Sequence, residues 1–197
     1  AGQRIIEGDV MTGAIIDDGP IYIGKGAVIH PTAWIQSPAY IAAGAVVRHG
    51  ALVRPNVIML EGSVIGHASE AKNAILLKHA YAPHFAYVGD SILGNHCNLG
   101  AGTKLSNLSV LSEKDIKTGK RPTIKLIVDK QQFDTGLAKM GAILGDHAQT
   151  GCNTVLNPGC IIGKHSLVYA NTSLRKGVYP ANSLIKLRQV MEIVTRR

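Results

Sequence analysis

A chain of 197 residues with 46% apolar and only 17% charged side chains is long enough and apolar enough to bury a core as one domain, which excludes a disordered chain. Its net charge of +8 suits a phosphorylated ligand, whereas nucleic acid and membrane partners are not expected: no basic run is interleaved with aromatics, and no apolar stretch reaches about 18 residues. Three cysteines without a disulfide spacing, and an N-terminus without a secretory pattern, predict a reducing cytoplasm.

Residues 1–21 form a lead-in segment to which no element is assigned. A domain over 22–180 follows, with a period of six. From Ile23 an aliphatic residue recurs at Ile29, Ile35, Ile41, Val47, Val53, Met59 and Ile65, extended by Ala71 and Leu77. Four residues after each stands another, mostly small: Ala27, Ala33, Ala39, Ala45, Ala51, Val57, Ser63 and Ser69. The period resumes in a new phase at Leu93, Leu99 and Leu105, with Ser109 the last small companion there. It resumes again from Leu144 to Leu174, with Val178 as its last companion. Six matches neither a helix nor simple strand alternation. It predicts a solenoid of short strands and tight turns, in which three strands close a coil and residue i stacks on i+18.

Two interruptions break this order. One is the phase shift between Leu77 and Leu93, which contains His84. The other is an insertion over 109–140 with seven Lys/Arg against four Asp/Glu, in which 123–128 reads as a strand of a projecting loop or hairpin. After Pro180, the spacing of Leu184, Leu187, Val190, Met191 and Val194 predicts a C-terminal helix over 181–197 that closes the open end.

Chemistry is first suggested by stacking. Arg54 and Lys72 are 18 apart on one outer face, so two cations lie one above the other. A phosphate between them and a solvated basic face are both open readings. His84, at the phase break, is either a structural histidine or a base able to take a proton from an amine.

Several segments carry a resemblance to a known family. They are Val53-Arg54-Pro55, the run Glu70-Ala71-Lys72-Asn73-Ala74, and His84-Phe85-Ala86-Tyr87-Val88-Gly89-Asp90. Asn98-Leu99-Gly100-Ala101-Gly102-Thr103, Asn107 and 139–146 complete the set. Together they resemble the acetyltransferase domain of the bifunctional N-acetylglucosamine-1-phosphate uridylyltransferase/glucosamine-1-phosphate N-acetyltransferases, over roughly residues 45–178. The resemblance implies an all-β, single-stranded left-handed parallel β-helix; its hand comes from the family, since parallel crossovers are ordinarily right-handed. It implies an acetyl-CoA-dependent N-acetyltransferase acting on an amino-sugar 1-phosphate, glucosamine or galactosamine, without a metal and as a homotrimer with sites between subunits.

The implied roles follow the matched positions. His84 is the general base and Glu70 orients it. Arg54, Lys72 and Lys139 bind the sugar phosphate. Tyr87 and Asn98 hold the sugar, and Asn107 meets the reacting acetamide. Ala101, Cys152 and Ala170 line the acetyl-CoA channel, with Lys186 or Arg188 at the CoA phosphates. Departures are Leu108, where the family commonly has an aromatic residue, and the long 109–140 insertion. No nucleotidyltransferase domain precedes the repeats, so uridylyl transfer is expected, if anywhere, of a separate protein.

Two rivals share the fold. One is a trimerisation or regulatory β-helix beside a sugar nucleotidyltransferase. The other is a zinc enzyme like the γ-class carbonic anhydrases, prompted by the His79–His84 spacing with His49 or His67 as a third ligand.

Overall fold

The computed structural model describes residues 3–110, 112–188 and 193–195. These build a three-sided parallel β-helix. The first and second faces are nine-stranded sheets and the third is eight-stranded, each hydrogen-bonding only to strands of the coil before and the coil after. The lead-in is the first coil: Arg4–Ile6, Asp9–Val10 and Ile15–Ile16 pair with Ile21–Ile23, Val28–Ile29 and Trp34–Ile35 of the second.

The period of six is the core. Ile23, Ile29, Ile35, Ile41, Val47, Val53, Met59 and Ile65 are all fully buried, and so are the small companions Ala27, Ala33 and Ala45. Most strands point one or two aliphatic side chains into the prism, and burying each large one contributes roughly 1.5–3 kcal/mol. Corners are turned by single residues in the left-handed region, many of them Gly, Asn or His.

Stacking at i+18 holds from Ala39↔Val57 to Val53↔Ala71 and shortens to 17 in the next coil, where Val57 pairs with Ala74 and Val64 with Tyr81. The interior residue there is therefore Leu76, fully buried, and not Leu77. A second 17-residue step pairs Ile75 with Ile92. Late in the chain Cys160 pairs with Gly177, so Val178 is 45% exposed on the outside rather than inside. Ser109 likewise lies in the exit to the insertion, only partly buried.

The insertion contains an antiparallel hairpin, Lys125–Val128 with Gln131–Asp134, turned at Asp129 and Lys130 with φ of 49° and 66°. Two consecutive left-handed residues make the turn whose twist suits a two-residue hairpin. The hairpin does not stand free: Ile124, Leu126 and Met140 are buried against Ile143 and Ile161 on the first face. Gly159 sits beneath it, where a Cβ would lie 2.9 Å from Leu126 Cδ2.

The expected C-terminal helix is replaced, over its described beginning, by a strand. Leu184–Ile185 pairs with Leu167–Val168 and continues the second face. The open sheet edge supplies the reason: the amides of Leu167 and Tyr169 donate to the carbonyls of Ser183 and Ile185, satisfying groups a helix would leave unpaired. Val190 and Met191 lie outside the described residues. No helix among the described residues is long and apolar enough to cross a membrane.

Candidate active site

The predicted site residues fall on two corners of the prism, either side of the third face. At the corner between the third and first faces, Arg54 follows Leu52–Val53 and Lys72 ends Glu70–Lys72 in the next coil, so the two cations are stacked. Arg54 Nη1 donates to Glu70 Oε1 at 2.8 Å. That hydrogen bond is the first cause of a raised Arg54 pKa, which keeps the guanidinium charged. Lys72 has no ion pair among the described residues.

Behind these cations runs a ladder of side chains 17 residues apart. Asn56 Nδ2 donates to Asn73 Oδ1 at 2.8 Å, Asn73 Nδ2 donates to Asp90 Oδ1 at 2.9 Å, and Asn107 Nδ2 donates to the other Asp90 oxygen. Asp90 thereby orients the Asn107 amide. The Met140 amide donates to the Asn107 carbonyl, which brings the neighbouring, exposed Lys139 to the same corner.

Glu70, Tyr87 and Lys104 lie side by side across the outside of the third face. A shallow groove of about 470 Å³ passes over them, bordered by Phe85, Ala86 and Ser106. Tyr87 lies flat across Gly89, where a Cβ would meet its hydroxyl at 2.6 Å. Its pKa is raised, first by burial and then by the charges of Glu70 and Asp90. Tyr87 is thus a neutral hydrogen-bonding hydroxyl. Lys104, whose Nζ donates to the Gly102 carbonyl at 2.7 Å, was not singled out from sequence, although it follows Tyr87 by 17 residues.

At the other corner, between the second and third faces, His84 ends the strand Tyr81–His84. That strand presses on the preceding coil so closely that a Cβ on Gly66 would lie 1.8 Å from the Pro83 carbonyl oxygen, so glycine is required there. His84 pairs with His67, whose ring stacks on His49 at 4.4 Å. Toward the C-terminal end the same corner carries one predicted channel residue per coil. The Gly102 amide donates to the His84 carbonyl, Asn153 to Ala101 and Asn171 to Cys152, so His84, Ala101, Cys152 and Ala170 form a column. Three of the four side chains are small and Cys152 is exposed. At about 4.8 Å per coil the column is some 14 Å long.

Not every predicted residue joins these groups. Asn98 lies on the outside of the second face, between Tyr81 and Gln149, away from Arg54 and Lys72 of its own chain. Glu70 bonds to Arg54, and no hydrogen bond joins it to His84 among the described residues. Lys186 is exposed with its Nζ 6.0 Å from the Tyr169 ring, and Arg188 is exposed at the same end. His79, considered as a zinc ligand, stacks on His96 at 5.0 Å on the corner between the first and second faces, across the second face from His84. Cys97 and Cys160 are buried, which pushes each thiol up to about 11.

The chain is similar to parts of several known proteins. A bifunctional GlmU protein of Methanococcus maripaludis is 35% identical over 179 residues, covering 91% of this chain and 41% of its own length. A bifunctional sugar-1-phosphate nucleotidylyltransferase/acetyltransferase of Sulfurisphaera tokodaii is 32% identical over 109 residues, 55% of this chain and 25% of its own. This chain resembles part of those bifunctional enzymes. It spans less than half the length of either relative. The family model of the GMPPB C-terminal domain matches residues 35–128. Among solved structures, UDP-N-acetylglucosamine acyltransferase from Campylobacter jejuni superposes with a TM-score of 0.58 at 15% identity, over 87% of this chain and 69% of that one. The likeness is one of fold, the left-handed parallel β-helix.

Proposed function

We propose that the chain is an acetyl-CoA-dependent N-acetyltransferase acting on an amino-sugar 1-phosphate, with its site along the third face and the two corners that bound it. The observation that carries this reading is the pairing of a stacked cationic corner, Arg54 and Lys72 with Lys139 beside Asn107, with a second corner where exposed His84 heads a column of small residues.

The chemistry follows from residue types. Arg54 and Lys72 hold the phosphate, the Arg54–Glu70 bond fixes the guanidinium, and Tyr87 and the Asp90-held Asn107 amide meet the sugar. An ammonium is not a nucleophile, so His84 takes one proton from it. The freed amine attacks the thioester carbonyl, an N–C bond forms, the C–S bond breaks, and the thiolate leaves with a proton. The corner past His84 fits an extended thioester arm, because Ala101 and Ala170 leave it open. Lys186 and Arg188, at the C-terminal end of the column, provide cations for phosphates at the far end of that arm.

Asn98 faces away from the phosphate corner of its own chain, so its role requires a neighbouring subunit. A closed homotrimer brings one chain's second face against another's third face. Cytoplasmic residence and a separate nucleotidyltransferase belong to the same reading.

The test is mass-spectrometric detection of the sugar product after incubation with acetyl-CoA and either glucosamine or galactosamine 1-phosphate. Gain of one acetyl group on nitrogen supports the reading. No acetyl gain on any amino-sugar phosphate, from folded protein, would replace it with the non-catalytic scaffold.

A further inference from the structure

The insertion does more than cover the first face. Between it and the last coils lies a cavity of about 600 Å³, lined by Ser109, Ser112, Thr123, Lys125, Asn157 and Lys176 over a floor that includes Ile124 and Pro158. That volume suits a small-molecule ligand. Ser112 is only 8% exposed, yet its hydroxyl has no hydrogen-bond partner among the described residues. An unsatisfied buried hydroxyl costs about 1–3 kcal/mol, and a ligand oxygen would relieve it.

The charges distinguish the two lysines. Thr123 gives its hydroxyl to Asp134 at 2.9 Å, and Lys125, paired with Asp134 across the hairpin, acts on the same carboxylate. Lys176 has no ion pair among the described residues. Its stem lies over Gly159, where a Cβ would meet Lys176 Cγ at 3.0 Å and Ile124 Cγ2 at 3.3 Å, so stem and hairpin share one seat. The cavity's cation is set apart from Arg54 and Lys72. Lys72 is followed up the third face by Gly89, Ser106 and Asn157, three steps of about 4.8 Å, and Lys176 lies beside the next step at Arg175, roughly 19 Å along the axis. A phosphate held by Arg54 and Lys72 does not reach Lys176, whereas Asn107 and Lys139 lie one coil below Asn157, so the cavity adjoins the far edge of that corner.

The geometry points to a second anion site at the Lys176 end of this cavity, binding a phosphate-bearing small molecule through Lys176 and the Ser112 hydroxyl, while Asn157, whose amide is held by the Leu174 carbonyl at 2.7 Å, forms its wall. Its cation, Lys176, is not one of the groups assigned to acetyl transfer.

Pyrophosphate titrated into the 197-residue chain by calorimetry, without any acetyl donor, tests it. The Arg54→Ala/Lys72→Ala/Lys139→Ala triple variant, verified as folded by circular dichroism, keeps one class of binding. Adding Lys176→Ala weakens that class about tenfold or more, as expected for a charge-assisted bond. Ser112→Ala weakens it as well, while Lys78→Ala, equal in charge but remote, does not. Loss of all binding in the triple variant, or equal weakening by Lys78→Ala, overturns the proposal. Because no acetyl donor is present, an inactive enzyme would leave the result unchanged.

Discussion

Leu99→Ala opens a cavity whose size follows from its neighbours. Leu99 is fully buried, between Ala82 in the coil before and Thr150 in the coil after. Removing its side chain leaves three small residues in succession. Thr150 cannot swing into the gap, because its hydroxyl accepts from the Gly100 amide at 3.2 Å and bonds Thr103 at 2.9 Å. Leu105 provides the contrast, since Val88 and Leu156 flank it and close in more readily. Leu-to-Ala losses depend on how far a site collapses, so Leu99→Ala is expected to cost about 4–5 kcal/mol and Leu105→Ala about 3 kcal/mol. Guanidinium unfolding by far-UV circular dichroism, at one protein concentration and with unchanged m, measures both. Equal losses, or a loss at Leu99 below about 2 kcal/mol, would refute the stacking argument.

Other expectations are direct. Gly89→Ala pushes a methyl into the Tyr87 hydroxyl, so KM for the amino sugar is expected to rise at least about tenfold, some 1.4 kcal/mol, with the melting temperature little changed; unchanged KM would remove Tyr87 from the sugar site. A maleimide at neutral pH is expected to label Cys152 alone, since burial pushes the Cys97 and Cys160 thiols to about 11; peptide mapping that finds either of these labelled in folded protein contradicts the packing. Asp146 has a lowered pKa, first through the Asn95 amide and then Lys164. It therefore contributes stability that is present above the ordinary carboxylate pKa and is lost as pH falls through its lower native value. Asp146→Asn should flatten the acid limb of a pH–stability curve, and an unchanged limb would contradict the assignment.

Much of the coil was legible because most interior positions carry an aliphatic residue, with Thr150 a polar exception. The shift to 17-residue coils was not, because Leu76 and Leu77 are adjacent and equally apolar, and only the corner at Asn73 decides which points inward. Leu184, Ile185 and Leu187 satisfy a helical and a strand pattern alike; an unpaired sheet edge decides between them. The hairpin's docking escaped notice because Ile124 and Leu126 alternate with Lys125 and Ile127, so either face could have been the buried one. At the site, stacking of Arg54 on Lys72 was readable from spacing. The Asn56–Asn73–Asp90–Asn107 ladder left a signal, a spacing of 17, masked by the expectation of 18. Which face each residue occupies, above all Asn98, depends on corners and not on spacing.

The proposed role of His84, removal of the amine proton at the head of the small-residue column, is tested most directly by replacing it. Thiol release from acetyl-CoA, dependent on an amino-sugar 1-phosphate, should fall at least about a hundredfold in His84→Ala, while calorimetry shows both substrates still bound. A variant that releases thiol at the wild-type rate would contradict the claim and move the base elsewhere.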